Sequence, residues 1–152
     1  MTKNEMKAVT EKWFKSYGFN KKGIEFIYEF DKFDLFVLFH KDRFDDYFWF
    51  VVGFRLKGDE ATIMINGHPY QAYGMSMQLE ISKNVHSFYY EQLDEPLYLK
   101  YLQELYNKYL LPYFEKGFEY LKVLVRKPNG GRNFSRKKPF SISQQARELI
   151  LK

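Results

Sequence analysis

Between residues 26 and 54 the chain places twelve aromatic residues in twenty-nine positions, and their spacing sorts into three strand-like runs. Aromatic side chains bury large areas and have few rotatable bonds, so a block this dense has to pack on at least one side. In residues 24–30, Ile24, Phe26, Tyr28 and Phe30 alternate with Glu25, Ile27 and Glu29, giving one apolar and one mixed face. Residues 33–39 and 47–56 are apolar at both parities, the pattern of strands covered on both faces. Asp31-Lys32 has the length of a two-residue hairpin, and the polar stretch 40–46 makes a second turn. A shorter strand over 61–65 runs into the turn Asn66-Gly67-His68-Pro69. Met75, Met77, Leu79 and Ile81 then alternate as a fifth strand.

Helical periodicity flanks this block. Thr2 and Glu5 have the spacing of a capping box, in which each side chain satisfies an orphan backbone donor. Met6, Val9, Trp13, Phe14 and Tyr17 follow at helical spacing, which predicts a helix over 3–16 closed by Gly18. Asp94 and Pro96 open a second helical region with the stripe Leu97, Tyr98, Tyr101, Leu102, Leu105 and Tyr109. An interior proline loses a hydrogen bond and clashes with the preceding turn, so Pro112 predicts two helices, 95–110 and 112–125. The tyrosines here, 98, 101, 106, 109 and 113, are expected to keep their hydroxyls at the water boundary. Ser141 opens a short last helix that runs to Leu151. The expected fold is α+β: an antiparallel sheet of four to five strands, with an N-terminal helix and C-terminal helices packed mainly on one face. At 152 residues a single domain is expected, divided into a core over 1–125, a basic loop over 126–140 and a C-terminal helix over 141–152.

Composition removes several functional classes. The chain has no cysteine, which excludes disulfide frameworks, zinc ribbons and thiol nucleophiles, and which fits a reducing cytoplasm. Residues 1–15 lack the apolar segment of a signal peptide, and no run approaches the roughly 20 apolar residues of a membrane helix. A cytoplasmic location without membrane contact is the expectation. The net charge of +5 is unevenly placed: residues 126–138 hold six basic residues and no acid, against 18 basic and 19 acidic residues elsewhere.

The motif Gly18-Phe19-Asn20-Lys21-Lys22-Gly23, followed by Phe26 and by Phe48-Trp49-Phe50-Val51-Val52-Gly53, resembles an uncharacterised bacterial family, domain of unknown function 4304. The helical stretch Leu110-Leu111-Pro112-Tyr113-Phe114 is also similar. The likeness spans about residues 5–125 and leaves out the basic loop and final helix. It implies a small cytoplasmic bacterial protein, carries over no catalytic residue, and extends to immunity-type partners of toxins among the relatives.

No catalytic constellation accompanies the aromatic block. His40, His68 and His86 sit at three different turns without metal-ligand spacing, and are expected as surface or loop histidines rather than a metal site. Ser76 lies outside any nucleophile elbow, and the sequence neighbours His86 and Ser87 make no triad by adjacency. Glu25 and Glu29, four residues apart on one strand face, lie about 13 Å apart, beyond the reach of paired carboxylate catalysis. Asp42, Asp45 and Asp46 are interrupted by Lys41 and Arg43 and read as a solvated hairpin tip. Pro128-Asn-Gly-Gly131 has neither the spacing nor the context of a phosphate loop. No cofactor is implied.

Three readings remain, of which one, an enzyme or small-ligand binder with a cleft near the helix–sheet edge, has no motif behind it. If the helices cover one sheet face, the other presents Ile27, Phe36, Leu38, Tyr47, Trp49 and Val51, which either the C-terminal segment or a partner must cover. Tyr and Trp are the residue types of binding hot spots, so the leading expectation is a non-enzymatic protein that binds a protein partner, or a second copy of itself, through Phe36, Tyr47 and Trp49. The alternative is a nucleic-acid-binding module in which Arg126, Lys127, Arg132, Arg136, Lys137 and Lys138 grip phosphates while Phe134 stacks on a base. Against it stands the ordinary reading of a charge run as a solvated loop.

Overall fold

The computed structural model describes residues 1–42, 44–57, 63–65, 68–70, 77–78, 88–126 and 144–152, with backbone alone for 63–65, 68–70, 77–78 and 144–147. Helix α1 (Lys3–Ser16) starts with the expected capping box. The Thr2 hydroxyl accepts from the Glu5 amide at 3.1 Å, and the Glu5 carboxylate accepts from the Thr2 amide at 3.1 Å. It ends in a Schellman turn, where the amide of Gly18 donates to Lys15 and that of Phe19 to Phe14. Gly18 takes φ +88°, a backbone conformation that favours glycine, and a Cβ there would press on the Tyr28 ring at 3.1 Å. The turn aims Phe19 back onto Phe14, edge to face at 5.3 Å.

Strands β1 (Asn20–Lys22), β2 (Glu25–Glu29), β3 (Phe33–Lys41) and β4 (Tyr47–Leu56) form an antiparallel meander. Asp31 and Lys32 make the two-residue hairpin, closed by the Phe30 amide on the Phe33 carbonyl at 2.9 Å. β3 and β4 pair over nine residues, from Phe33↔Leu56 to Lys41↔Phe48. On the far side of β4 lie two short segments, β7 (Met77–Gln78) against Val51 and Val52, and β8 (Phe88–Tyr89) against Tyr47 and Phe48. The strand expected over 61–65 departs from the meander. Among the described residues, β5 (Ile63–Ile65) pairs with β6 (His68–Tyr70) alone, in a second sheet on either side of the Asn66-Gly67 turn signal.

The C-terminal helical region differs from expectation at its break. Helix α2 (Glu95–Leu105), capped by Asp94 on the Leu97 amide at 2.9 Å, continues into a π-helical turn over Tyr106–Leu110. α3 (Leu111–Lys116) then follows without interruption. Pro112 lacks the N–H that an α-helix needs, and the wider turn directly before it absorbs the defect: the Leu111 amide reaches back five residues to Tyr106. Pro112 thereby sits in the first turn of α3 and does not break the helix. The true break is Gly117, at φ +55°, whose amide bonds the Tyr113 carbonyl at 2.8 Å before α4 (Phe118–Arg126) begins. α5 (Gln144–Leu151) packs on α4.

One large core fills the space between the helices and one sheet face. Phe26, Phe39, Phe50, Val52 and Phe54 are buried there with Phe14 from α1, Leu102 from α2, Leu121 from α4 and Ile150 from α5. The fold is α+β with the helices on one face. Phe50 sits at the junction, stacked on Phe39 at 4.9 Å, edge-on to Phe88 at 5.6 Å and 6.0 Å from Phe14. The tyrosines correct the expectation of a water boundary: Tyr98 and Tyr113 are fully enclosed. Tyr98 avoids an unpaired hydroxyl by donating to Thr10 Oγ1 at 2.6 Å, because the Thr10 proton goes to the Met6 carbonyl at 2.6 Å. Burial holds its phenol neutral, with a pKa well above the usual tyrosine value.

Truncating Phe50 to Ala removes the ring that joins α1, β3 and β8, and it is expected to destabilise the fold by about 3–5 kcal/mol. Urea unfolding followed by circular dichroism measures it; a change below about 1 kcal/mol would mean that Phe50 is not the junction of this core.

Candidate functional site

Because side chains alternate along β3 and β4, the sheet has a second face made of the other parity. Ile27, Phe36, Leu38 and Val51 form a separate buried cluster there, with Trp49 packed against it. Phe36 and Leu38 have no exposed surface in the single chain. The C-terminal helix is not their cover, since Ile150 belongs to the core on the opposite face. At one end the face becomes ionic. Arg55 pairs with Glu25, its guanidinium 4.6 Å from the centre of the Phe36 ring, and Lys57 lies 3.8 Å from Asp34. Burial raises the Asp34 pKa against the pull of Lys57. Glu25 is thus an ion-pair partner of Arg55, with Glu29 farther along the same strand.

At the other end the face is aromatic and open. His40, at the end of β3, is stacked on Trp49 at 5.3 Å; Trp49 lies 5.7 Å from Tyr47, and Tyr47 lies 5.2 Å from Tyr89 on β8. Trp49 and Tyr47 are half-buried, and Tyr89 is 44% exposed. His40 corrects the expectation of a surface histidine: it is buried, on the strand rather than in the turn. Beyond this row the β3–β4 turn carries Phe44, 89% exposed.

That turn is braced. Asp42 Oδ1 accepts from the amides of Phe44 and Asp45, both at 2.8 Å, and the Asp42 amide donates to the Tyr47 carbonyl at 3.0 Å. A side chain bonded to its own backbone two and three residues on mimics a turn and fixes its path. These bonds, from Asp45 and then Phe44, hold the Asp42 carboxyl below the usual range. Its bond to the Tyr47 hydroxyl raises the Tyr47 pKa. Asp46 likewise bonds the Tyr90 hydroxyl and raises its pKa. The tip is solvated as expected at Asp45 and Asp46, while the Asp42 carboxylate fixes the backbone that carries the exposed Phe44 ring.

Of the three residues expected to form a partner surface, Trp49 and Tyr47 lie together at the open end, while Phe36 is enclosed beneath Arg55. Phe44 and Tyr89 were not among the expected site residues. Phe44 sits in a polar run, which masked it, and Tyr89 lies where periodicity gives no element. Of the basic segment, Arg126 closes α4 and is exposed, while Lys127, Arg132, Phe134, Arg136, Lys137 and Lys138 lie outside the described residues. Among the described residues, no group of three or more His, Asp or Glu side chains is placed to hold a metal, and no helix is long and apolar enough to cross a membrane.

Comparison with protein-family models, with curated proteins and with solved structures found no match. The resemblance to domain of unknown function 4304 rests on its short motifs.

The turn gives a pH test. The folded pKa of Asp42 is lowered, so the carboxylate supports the turn fully above the ordinary value of about 3.9 and loses that support as pH falls through the folded pKa. The Phe44 and Asp45 amide resonances are expected to titrate at that lower pH. In Asp42→Asn, which keeps the acceptor oxygen but has no proton to gain, the titration should vanish with the turn intact. An unchanged titration in Asp42→Asn would show that another group controls the turn.

Proposed function

We propose that this is a non-enzymatic domain that binds a protein partner through the aromatic end of the β3–β4 hairpin, with Phe44 as the protruding anchor and Tyr47, Trp49 and Tyr89 as the surface beside it. The observation that carries the reading is the continuous run of rings from His40 through Trp49 and Tyr47 to Tyr89, next to a phenyl ring that is almost wholly in water. Large exposed apolar surface is costly on a monomer, and Tyr, Trp and Phe on braced backbone lose little entropy when they dock. The partner chemistry that fits is a protein with an apolar pocket for Phe44 and a flatter apolar rim for Tyr89 and Tyr47. Such contacts gain from burial and depend little on salt. Membership in the resembled family, a cytoplasmic location and an immunity-type role are parts of the same proposal.

Photo-crosslinking in the native host tests it. A benzophenone amino acid at position 44 or 89 is expected to trap one protein species, and the same group at Lys122 on α4 should not. Trp49→Ala should abolish the adduct formed from position 89. Equal adducts from position 122, or none from 44 and 89, would contradict the reading, and an adduct of twice the chain mass would replace the foreign partner with a second copy.

The alternative, nucleic-acid binding through residues 126–138, is favoured by one observation: the chain's excess positive charge is confined there. In that case single strands should be preferred over duplex, because Phe134 needs an open base face. Affinity should fall steeply with salt, and Arg136, Lys137 and Lys138 changed to Ala should flatten that slope. Absence of binding to labelled single strands at low salt and micromolar protein removes this reading.

A further inference from the structure

On the helix face of the sheet, behind the aromatic hairpin end, a cavity of about 160 Å³ opens between α1, the β1–β2 turn and the ends of β3 and β4. Its floor is apolar: Phe26, Phe39 and Phe48 are all buried, with Phe39 stacked on Phe48 at 4.4 Å. Its mouth is cationic, with Lys7 from α1, Lys21 from β1 and Lys41 from β3. Ile24 lies on the rim, 42% exposed, its carbonyl bonded to the Phe39 amide at 3.0 Å.

Two features of this place call for a ligand. The three ammonium groups come from three separate elements and gather around an apolar opening, where they repel one another. Lys21 lies 3.4 Å from Glu11, a carboxylate already engaged by Lys15 at 2.8 Å. Lys7 and Lys41 have no carboxylate ion pair among the described residues. Burial and then the positive charges of Lys3, Lys21 and Lys41 lower the Lys7 pKa, so an added anion would relieve repulsion as well as gain attraction. The second feature is the shape of the floor. An apolar cavity of about 150 Å³ accepts a benzene-sized body, whereas one water takes about 30 Å³ and needs polar partners.

We propose that this cavity binds a single-ring aromatic carboxylate, with the ring on Phe39 and Phe48 and the carboxylate between Lys7 and Lys41. A ring without charge would leave the lysines repelling one another. A charge without a ring would leave the floor wetted. The site is independent of the hairpin surface, because Phe39 and Phe48 have the opposite parity to His40 and Trp49.

Titration of the labelled full chain by two-dimensional NMR tests this, with benzoate as the probe and benzyl alcohol, benzylamine and acetate as controls. Benzoate is expected to shift the Lys21, Gly23, Ile24 and Phe39 amides saturably, with a dissociation constant at least about tenfold below that of benzyl alcohol or acetate. Lys7→Gln combined with Lys41→Gln should remove that advantage while benzyl alcohol binds as before. Both lysines are exposed, and the spectrum itself reports whether the fold is kept. Equal affinity for acetate would reduce the site to simple charge attraction, and equal affinity for benzyl alcohol would reduce it to an apolar hole. Either result, or the absence of localised saturable shifts, overturns the proposal.

Discussion

The register between β3 and β4 is the constraint on which the rest depends. With strands apolar at both parities, hydrophobicity alone does not choose which side meets the helices, and a one-residue slip would exchange the faces. Two features pin the choice. One end of the nine pairs is closed by the turn braced by Asp42, and beyond the other end the Lys57 amide donates to the Lys32 carbonyl at 3.0 Å. Bulk does the rest: the odd positions of β3 and even positions of β4 supply Phe33, Phe39, Phe48, Phe50 and Phe54 to the helix layer. The other parity includes Glu25, Asp34, Gly53 and Arg55, which could not line so large an apolar core without stranding charges.

Rings then connect the layers. Phe14 stacks on Phe26 at 4.5 Å and ties α1 to β2, Tyr98 meets Phe88 at 5.4 Å and ties α2 to β8, and Phe114 meets Tyr28 at 4.7 Å and ties α3 to the sheet. Each contact adds on the order of 1 kcal/mol beyond the area it buries. This aromatic skeleton also frees the outer ring row. Because Phe50 and Phe48 satisfy the core, Trp49 and Tyr47 on the same strand are available for contact. The braced turn extends that row to Phe44, and the lysine-rimmed cavity occupies the same strand ends on the other face. Both candidate sites are consequences of where one hairpin ends.

Much of this was readable from residue order, where local chemistry decides. The capping box at Thr2 and Glu5, the glycine stop at Gly18 and the two-residue turn at Asp31-Lys32 need only near neighbours. Helix α1 and strand β4 accordingly have their expected bounds. Where tertiary packing decides, the reading failed. Pro112 signals a break by local rules, but a π turn held by packing on both sides absorbs it, and Gly117 breaks the helix instead. Tyr98 looks amphipathic until Thr10, far away in sequence, is seen to take its hydroxyl. The site was legible in half. Alternation placed Tyr47 and Trp49 on the face opposite the core, but could not show that Phe36 on that face is covered within the chain. Nor could it show that Phe44, surrounded by charges, is held outward, or that β8 brings Tyr89 alongside.

The division of the hairpin into a core face and a contact face is most directly tested by proton–proton distances across β3 and β4 in solution. The Asp42-to-Tyr47 and Lys57-to-Lys32 backbone bonds make the odd residues of β3 the non-hydrogen-bonded positions, where Cα atoms approach to about 4.5 Å. Strong Hα–Hα contacts are therefore expected for Leu35–Phe54, Val37–Val52 and Phe39–Phe50. Contacts displaced by one residue, such as Leu38–Phe50, would put Trp49 on the helix side and Phe50 outside, and would contradict both the core and the sites built on it.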